Sequence, residues 1–471
     1  MRFFSAVRVP LCWIMAAWLF IAPATASALT ITEEEALGKD FARMVAHQYQ
    51  VIKDPFIDTY INRLGRRLLS AFPPQPFVYH FNVVKEDVYN AFAGPGGNVY
   101  FNSGLIIALD YEDELAGIVA HEIAHVDSRH ISEQIDRSKK INTAMLAGVV
   151  ASIFLGGAGA ATAASALGVG SMAAGQSATL SYSRQNEIEA DKKGLTYMAD
   201  AGYAKEGMLG ALNTIRSKQW FGREQVPTYL MTHPALEDRL VYIGSVLDQE
   251  GVTANWHQRP DAEFQIVKAR LTALFSDLET GLMQLQGAVT RNPNFPFARY
   301  GLGLALMRKG DTAAAINHLA AASTMLPTWP IVRSDLGTAY FLAGFYGEAQ
   351  NLLRSVLDET PKDYSARLYL GRTLMQTGDL NEAVSELDVV AEEMPQDSDA
   401  QFYLGEAYHR LGNAAQAHFH LGAAYFIRRN FSSAAFHLER ALAAELPPEQ
   451  AEDAKKMLEN LPGSREKKKK P

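Results

Sequence analysis

Asp110-Tyr-Glu-Asp-Glu-Leu-Ala-Gly-Ile-Val-Ala-His121-Glu122-Ile-Ala-His125-Val-Asp-Ser-Arg129-His130 is the stretch whose reading decides the fold of this chain. Acidic residues crowd its start, where the helix macrodipole favours negative charge, and Leu115, Ile118, Val119 and Ile123 recur at helical spacing. Asp110 is the expected N-cap. On such a helix His121 and His125 stand at i and i+4, so both imidazoles project from one face and can reach a single zinc ion at about 2.0–2.1 Å. Glu122 sits about 100° round the axis, off the ligand direction but placed to take a proton from a metal-bound water. The flanks are apolar, so two imidazoles and a carboxylate buried there are costly unless something pairs with them.

This is an H-E-x-x-H pattern, the spacing used by zinc peptidases; the bland alternative is a polar helix face with two incidental histidines. A third ligand is expected downstream. Ser183-Arg184-Gln-Asn-Glu187-Ile-Glu189-Ala-Asp191-Lys-Lys-Gly194 opens another helix, on which Glu187 and Asp191 share a face. Glu187 completes a site of two histidines and a glutamate, with the fourth position left for water. Asp191 then accepts the ring N–H of a ligating histidine and fixes its tautomer. Glu189 points elsewhere and is expected at the surface. The alternative for Glu187 and Asp191 is an ion-pair face with Arg184 and Lys192.

The chain has 471 residues, 48% of them hydrophobic, which suits two or three soluble domains. Its N-terminus reads as a secretory signal peptide over residues 1–28: a short basic start, an apolar run from Val9 to Ala22, and Ala24-Thr-Ala26 or Ala26-Ser-Ala28 as cleavage site. The rival, a membrane anchor, is disfavoured by the shortness of that run and by Pro10 and Pro23. The single cysteine, Cys12, lies inside the signal, so the mature chain has no thiol and no disulfide. Removing Arg2 and Arg8 takes the formal charge from −8 to −10, an acidic balance that argues against nucleic acid and against broad binding to anionic membrane. The basic run Arg465-Glu-Lys467-Lys-Lys-Lys470 reads as a solvated tail, residues 461–471.

From Thr30 to Leu69 the pattern is helical, and Phe77 to Val84 alternates like a strand. Asn90-Ala-Phe-Ala-Gly94-Pro-Gly-Gly97-Asn98-Val-Tyr-Phe-Asn-Ser-Gly104 is a glycine-rich turn with a short strand. Two readings of Val99, Tyr100 and Phe101 stand side by side: core and pairing residues, or a sheet edge that faces the metal and pairs with an extended substrate. Residues 141–183 carry no charge and are dominated by Ala and Gly. A small-residue hairpin lying over the cleft as a lid is favoured over membrane spans, since only Met145 to Leu155 is strongly apolar; an apolar patch there could meet unfolded polypeptide or a membrane surface. Beyond Gln258-Arg259-Pro260, Leu-Gly pairs recur every 34 residues at Leu302-Gly303, Leu336-Gly337, Leu370-Gly371 and Leu404-Gly405. Gly310, Gly344, Gly378 and Gly412 follow each pair, and Pro293, Pro327, Pro361 and Pro395 keep the same period. This is the tetratricopeptide pattern of paired helices, whose concave face suits a polypeptide partner. The unit around Ala269 is degenerate. At Leu421-Gly422 the phase jumps by half a repeat, so one helix is expected to serve two units before Phe431 to Ala444 closes the array.

Asn90-Ala-Phe with Gly96-Gly97, His121-Glu122-x-x-His125, Arg184-x-x-Glu187-x-Glu189-Ala190-Asp191 and Thr232-His233-Pro234 together resemble the zinc endopeptidase family that includes the heat-shock and CAAX-processing membrane proteases, over about Ile31 to Val246. With a signal peptide and no convincing span, the chain is most similar to the soluble periplasmic BepA-like branch of that family. The resemblance implies His121, His125 and Glu187 as ligands of one zinc ion and Glu122 as general base. It also sets His233 near the metal, as a cap of the resting site or a stabiliser of the oxyanion; a histidine before proline is otherwise a residue that starts a helix. The expected fold is mainly α: an α+β peptidase domain with a small sheet (29–258) and an all-α tetratricopeptide solenoid (259–460). The function implied is a periplasmic zinc endopeptidase acting on misfolded or misassembled outer-membrane proteins, with chaperone-like help to their assembly. Partners would be unfolded clients and, through the repeats, the outer-membrane assembly machinery. The rivals are a client-binding scaffold with a largely silent protease site and a membrane-integral prenyl-protein protease.

Overall fold

The computed structural model describes residues 29–137, 182–220, 228–251 and 261–462. The expected signal segment, residues 141–181 of the uncharged stretch and the basic tail lie outside them. Among the described residues no helix is long and apolar enough to cross a membrane. The chain divides into two compact units, Met1–Val267 and Lys268–Pro471.

The first unit opens with helix α1 (Ile31–Gln48). Thr30 caps it: its hydroxyl accepts from Glu33 N, and the Glu33 carboxylate accepts from Thr30 N at 2.9 Å. Helix α2 (Pro55–Leu69) starts on Asp54, whose carboxylate accepts from the amides of Phe56 and Ile57. Three short strands follow, β1 (His80–Val84), β2 (Ala91–Ala93) and β3 (Asn98–Asn102), in the order β1-β3-β2, with β3 parallel to β1 and antiparallel to β2. Gly96 and Gly97 turn the chain between β2 and β3 at φ 69° and 80°, and a Cβ on Gly97 would stand 2.9 Å from Val78 O. The strand at Val99–Phe101 is therefore central rather than an edge. Its three side chains are at most 2% exposed, because both faces are covered and Phe92 stacks on Tyr100 beneath Phe41 of α1. Among the described residues β2 is an outer strand of the sheet, and its three residues are buried. Gly94 N donates to Asn98 O and Asn102 N to Asn90 O, a ladder that leaves the backbone groups of Ala91 and Ala93 directed away from β3.

Helix α3 (Ser103–Ala108) leads to α4 (Glu112–Asp127), which carries the H-E-x-x-H residues. Asp110 is not its cap. Glu114 reaches back instead and accepts the amides of Asp110 at 2.6 Å and Tyr111 at 3.3 Å. Every residue from Glu114 to Val126 is buried, so α4 has no solvent face and its polar side chains must be satisfied from inside. Helices α5 (His130–Arg137), α6 (Arg184–Asp200), α7 (Glu206–Trp220), α8 (Thr228–Thr232) and α9 (Leu236–Gln249) complete the unit, and α10 (Ala262–Arg270) follows. Close crossing of α7 over α4 requires Gly117, whose Cβ would lie 2.7 Å from Met208 Cα.

The second unit is all α. A π-helical turn (Leu271–Phe275) and α11 (Leu278–Arg291) form the degenerate first pair. The pairs α12 (Pro296–Lys309) with α13 (Thr312–Met325), α14 (Pro330–Leu342) with α15 (Tyr346–Glu359), and α16 (Tyr364–Thr377) with α17 (Leu380–Glu393) repeat the motif. The sequence signposts have a packing cause. A Cβ on Gly303, Gly337 or Gly371 would come within 2.7 Å of Leu319, Leu353 or Leu387, each sixteen residues later on the partner helix. The second glycine of each repeat turns at positive φ, as at Gly310 (91°) and Gly378 (99°). Helix α18 (Ser398–Arg410) receives Leu421 of α19 (Ala414–Ile427) at Gly405, while α19 offers Gly422 to Leu438 of α20 (Phe431–Ala443). Helix α19 thus closes one unit and opens the next, which is why the period halves there. The array ends one helix later than expected: α21 (Pro448–Glu459) covers α20 through Ala454 and Met457.

Candidate metal centre

Three helices and one connecting segment deliver the polar side chains that the apolar centre of the first unit must satisfy. Helix α4 brings His121, Glu122 and His125, and α6 brings Glu187 and Asp191. Ser183 caps α6 by accepting from Asn186 N at 3.1 Å, which sets Glu187 in the first turn. The segment between α8 and α9 brings His233, whose amide donates to Tyr229 O at 2.8 Å. Pro234 and Ala235, the latter at φ 63°, then turn the chain into α9, which carries Arg239. All of these side chains are at most 1% exposed.

His121, His125, Glu187 and His233 offer donor atoms that all lie within 4.8 Å of one another. His121 Nε2 is 3.0 Å from His125 Nε2 and 3.3 Å from His233 Nδ1; Glu187 Oε1 is 3.2 Å from His233 Nδ1 and 3.5 Å from His125 Nε2. Neighbouring ligands at about 2.0–2.1 Å from one zinc ion stand about 3.3 Å apart, so these four separations suit donors that share such an ion. The nitrogen chemistry fits as well. His121 turns its Nδ1 to Asp191 Oδ1 at 2.9 Å, and His125 turns its Nδ1 to His130 Nδ1 at 2.9 Å. With a proton on each Nδ1, the two Nε2 atoms face each other as lone pairs, an arrangement that a cation between them stabilises.

Charge gives a third test. With the imidazoles neutral, as metal ligation requires, Glu122, Glu187 and Asp191 are buried with a single guanidinium, Arg239, so the ionised set carries −2 and a divalent cation neutralises it. Arg239 is held as a fork: Nε and Nη2 donate to Asp191 at 2.8 and 2.7 Å, and Nη1 lies 2.9 Å from Glu187 Oε2. Burial pushes the Asp191 and Glu187 carboxyls up, but the charge of Arg239 at Asp191, and of His233 and Arg239 at Glu187, outweighs it; Asp191 falls to about 2 and Glu187 well below the usual range. Burial holds the His125 imidazole neutral, the form a ligand needs. Glu122 is different. Neither of its oxygens has a hydrogen-bond partner among the described residues, its nearest charged neighbour is His233 Nε2 at 3.5 Å from Oε1, and burial raises its pKa. A desolvated carboxylate that takes no hydrogen bond, beside a metal position, is suited to accepting a proton from water.

The structure thus brings His121, His125, Glu187, His233, Glu122 and Asp191 together. Glu189 is separate: half-exposed, it takes a hydrogen bond from Ser128 Oγ at 2.8 Å. Arg184 pairs with Asp238 at the surface and not with Glu187. Sequence reasoning assigned no role to four other residues that meet here. Arg239 lies five residues beyond the Thr232-His233-Pro234 motif, and His130 closed the stretch around the two histidines. Tyr182 stacks on His125 with ring centroids 3.7 Å apart, and Tyr229 on His233 at 4.4 Å. Tyr182 precedes its helix and Tyr229 lies in a five-residue helix too short to show a period, so no sequence signal marked these two.

Residues 55–246 match the description "Peptidase family M48", and residues 276–327 and 340–401 match tetratricopeptide repeats. A putative beta-barrel assembly-enhancing protease of Vibrio cholerae is 29% identical over 253 residues, 54% of this chain and 51% of that protein. The beta-barrel assembly-enhancing protease of Escherichia coli K12 is 33% identical over 214 residues, 45% of this chain and 44% of that protein. The match spans about half the length of these relatives. On the family match and the fold together, this chain carries a peptidase family M48 domain followed by tetratricopeptide repeats.

Proposed function

We propose that this protein is a periplasmic zinc endopeptidase that acts on misfolded or misassembled outer-membrane proteins and assists assembly of the others. The observation that carries the enzymatic reading is the convergence of His121, His125, Glu187 and His233 donor atoms to within 4.8 Å of one another, beside Glu122, a buried carboxylate with no hydrogen-bond partner among the described residues. His121, His125 and Glu187 would hold one zinc ion, and Asp191 orients His121. Zinc bound there supplies Lewis acidity toward a peptide carbonyl and acidifies water. Glu122 takes the proton from the attacking water and returns it to the leaving amine. His233 occupies the position that water needs, so this arrangement is a capped resting site, and His233 withdraws when substrate enters. The outer edge of β2, buried in this arrangement, would pair with an extended polypeptide backbone once uncovered, which gives little sequence preference. Names of the relatives support the outer-membrane substrate class, and the expected signal segment supports the periplasm. The solenoid would hold the client or the assembly machinery on its concave face.

Four protein donors around one centre also favour a second reading, a structural metal in a client-binding scaffold, since catalytic zinc sites keep a position open. Two variants separate them. Glu122→Gln should keep stoichiometric zinc and lose cleavage of casein. His233→Ala should keep zinc more weakly and cleave faster than wild type. Wild type and His233→Ala both inert toward unfolded substrate, with zinc bound, would establish the scaffold and refute the peptidase.

A further inference from the structure

The two histidines of α4 are held from behind in different ways. His121 Nδ1 faces a carboxylate, Asp191 Oδ1, at 2.9 Å. His125 Nδ1 faces another imidazole, His130 Nδ1, at 2.9 Å. His130 is 3% exposed and opens α5, directly after Arg129, which stands at φ 54° and turns the chain out of α4. That left-handed turn folds the His130 ring back against the helix it has just left, with ring centroids of His125 and His130 5.0 Å apart.

The protons on this pair follow from the donor set. A His125 that offers its Nε2 lone pair to the centre keeps its proton on Nδ1 and donates it to His130 Nδ1. His130 can accept there only as a lone pair, so its own proton sits on Nε2. That atom faces Glu189 Oε2 at 3.6 Å, and the Glu189 carboxylate is held by Ser128 Oγ at 2.8 Å and by Lys193 Nζ at 3.3 Å. Lys193 is itself fixed by Asp127 Oδ2 and Ser128 Oγ, both at 2.8 Å. Glu189, which sequence reasoning set aside as a surface residue, thus ends a line that runs from the centre to solvent: His125, His130, Glu189.

We propose that His130 is the positioning residue of His125. It accepts the His125 Nδ1 proton, and Glu189 selects the His130 tautomer that makes this acceptance possible. The inference rests on the zinc reading proposed above. Its physical content is that an acceptor at the back of a ligating imidazole fixes the ring's tautomer and aim and raises its basicity; loss of such an acceptor costs about 10–100-fold in metal affinity or activity. Packing alone would make a different demand, since Tyr182 already stacks on the His125 ring with centroids 3.7 Å apart.

The experiment is zinc affinity, by chelator competition, of the full-length wild type, His130→Leu, His130→Asn and Glu189→Gln, with the melting transition of each. Asn can set its Oδ1 where His130 has Nδ1, whereas Leu keeps volume and offers no acceptor. His130→Leu should bind zinc about 10–100-fold more weakly, and His130→Asn should stay within a few-fold of wild type. Glu189→Gln should fall between them. His130→Leu equal to wild type overturns the inference. So does equal weakening of the Leu and Asn variants, which would make the ring a packing residue. A wild type that takes up no zinc at all refutes the metal reading itself, a failure distinct from either of these.

Discussion

Replacement of Arg239 by methionine tests the electrostatics of the centre most directly. The guanidinium is 1% exposed and lies between two carboxylates that are each 0% exposed, Asp191 and Glu187. Its aliphatic stem is matched by Met, so the change removes charge and hydrogen bonds with little loss of volume. Among the described residues Asp191 then keeps its contact with His121 Nδ1 alone, and the set of buried charges becomes more negative by one. Removing one partner of a buried ion pair costs about 3–5 kcal/mol, a large share of the 5–15 kcal/mol by which domains are typically stable. For a domain of about 150–250 residues each kcal/mol shifts Tm by about 2–4 °C, so the fall should be about 6–20 °C. The control is Arg184→Met. Arg184 also sits 3.0 Å from a carboxylate, Asp238, but with side chains 69% and 54% exposed. Such a pair contributes about 0–1 kcal/mol, and its loss should move Tm by no more than about 4 °C. Calorimetry of both zinc-loaded variants at neutral pH measures the difference. If Arg239→Met melts with Arg184→Met, the guanidinium is not what holds the two carboxylates in place and the charge argument for a dication fails.

Further outcomes follow from packing and from titration. Gly117→Ala should destabilise the first unit by about 1–3 kcal/mol, because its Cβ would meet the Met208 backbone at 2.7 Å, whereas Gly194→Ala meets the flexible Met208 Cε at 2.7 Å and the α4 backbone at an ordinary 3.4 Å from His121 N, and should be neutral or slightly stabilised by its helix propensity; urea melts compare the two. In the solenoid, burial lowers the His420 pKa to about 4, with Nδ1 set against Gln401 Oε1 at 2.8 Å. The folded state therefore refuses a proton that the unfolded chain accepts below its ordinary pKa of about 6.5, so stability is whole above that pH and falls as pH drops toward 4, by about 3 kcal/mol. His420→Gln should lose this component of the acid dependence, and urea midpoints of the solenoid at pH 7 and 4.5 that shift equally in both proteins would refute it.

Helical spacing alone sets His121 and His125 on one face, because an α-helix permits no other relation between residues four apart. The repeat was legible for a similar reason: each Leu-Gly pair marks a place where a leucine sixteen residues on must enter a groove only glycine leaves open. Even the phase jump at Leu421-Gly422 was readable, since one helix offers both a knob and a hole. What the sequence could not reveal lies in contacts between segments with no common period. It left open whether Val99 to Phe101 lies at an edge, and sheet order decided against it. It named Asp110 as a cap, but Glu114 reaches back and does that work. It gave Arg239, His130, Tyr182 and Tyr229 no task, since each acts by where tertiary folding brings it. Local pattern determines the faces of helices, a short-range consequence of backbone geometry. Which buried charge meets which, and whether a fourth donor closes the centre, is decided only when α4, α6 and α9 converge in an interior without water, where each polar atom must find a partner.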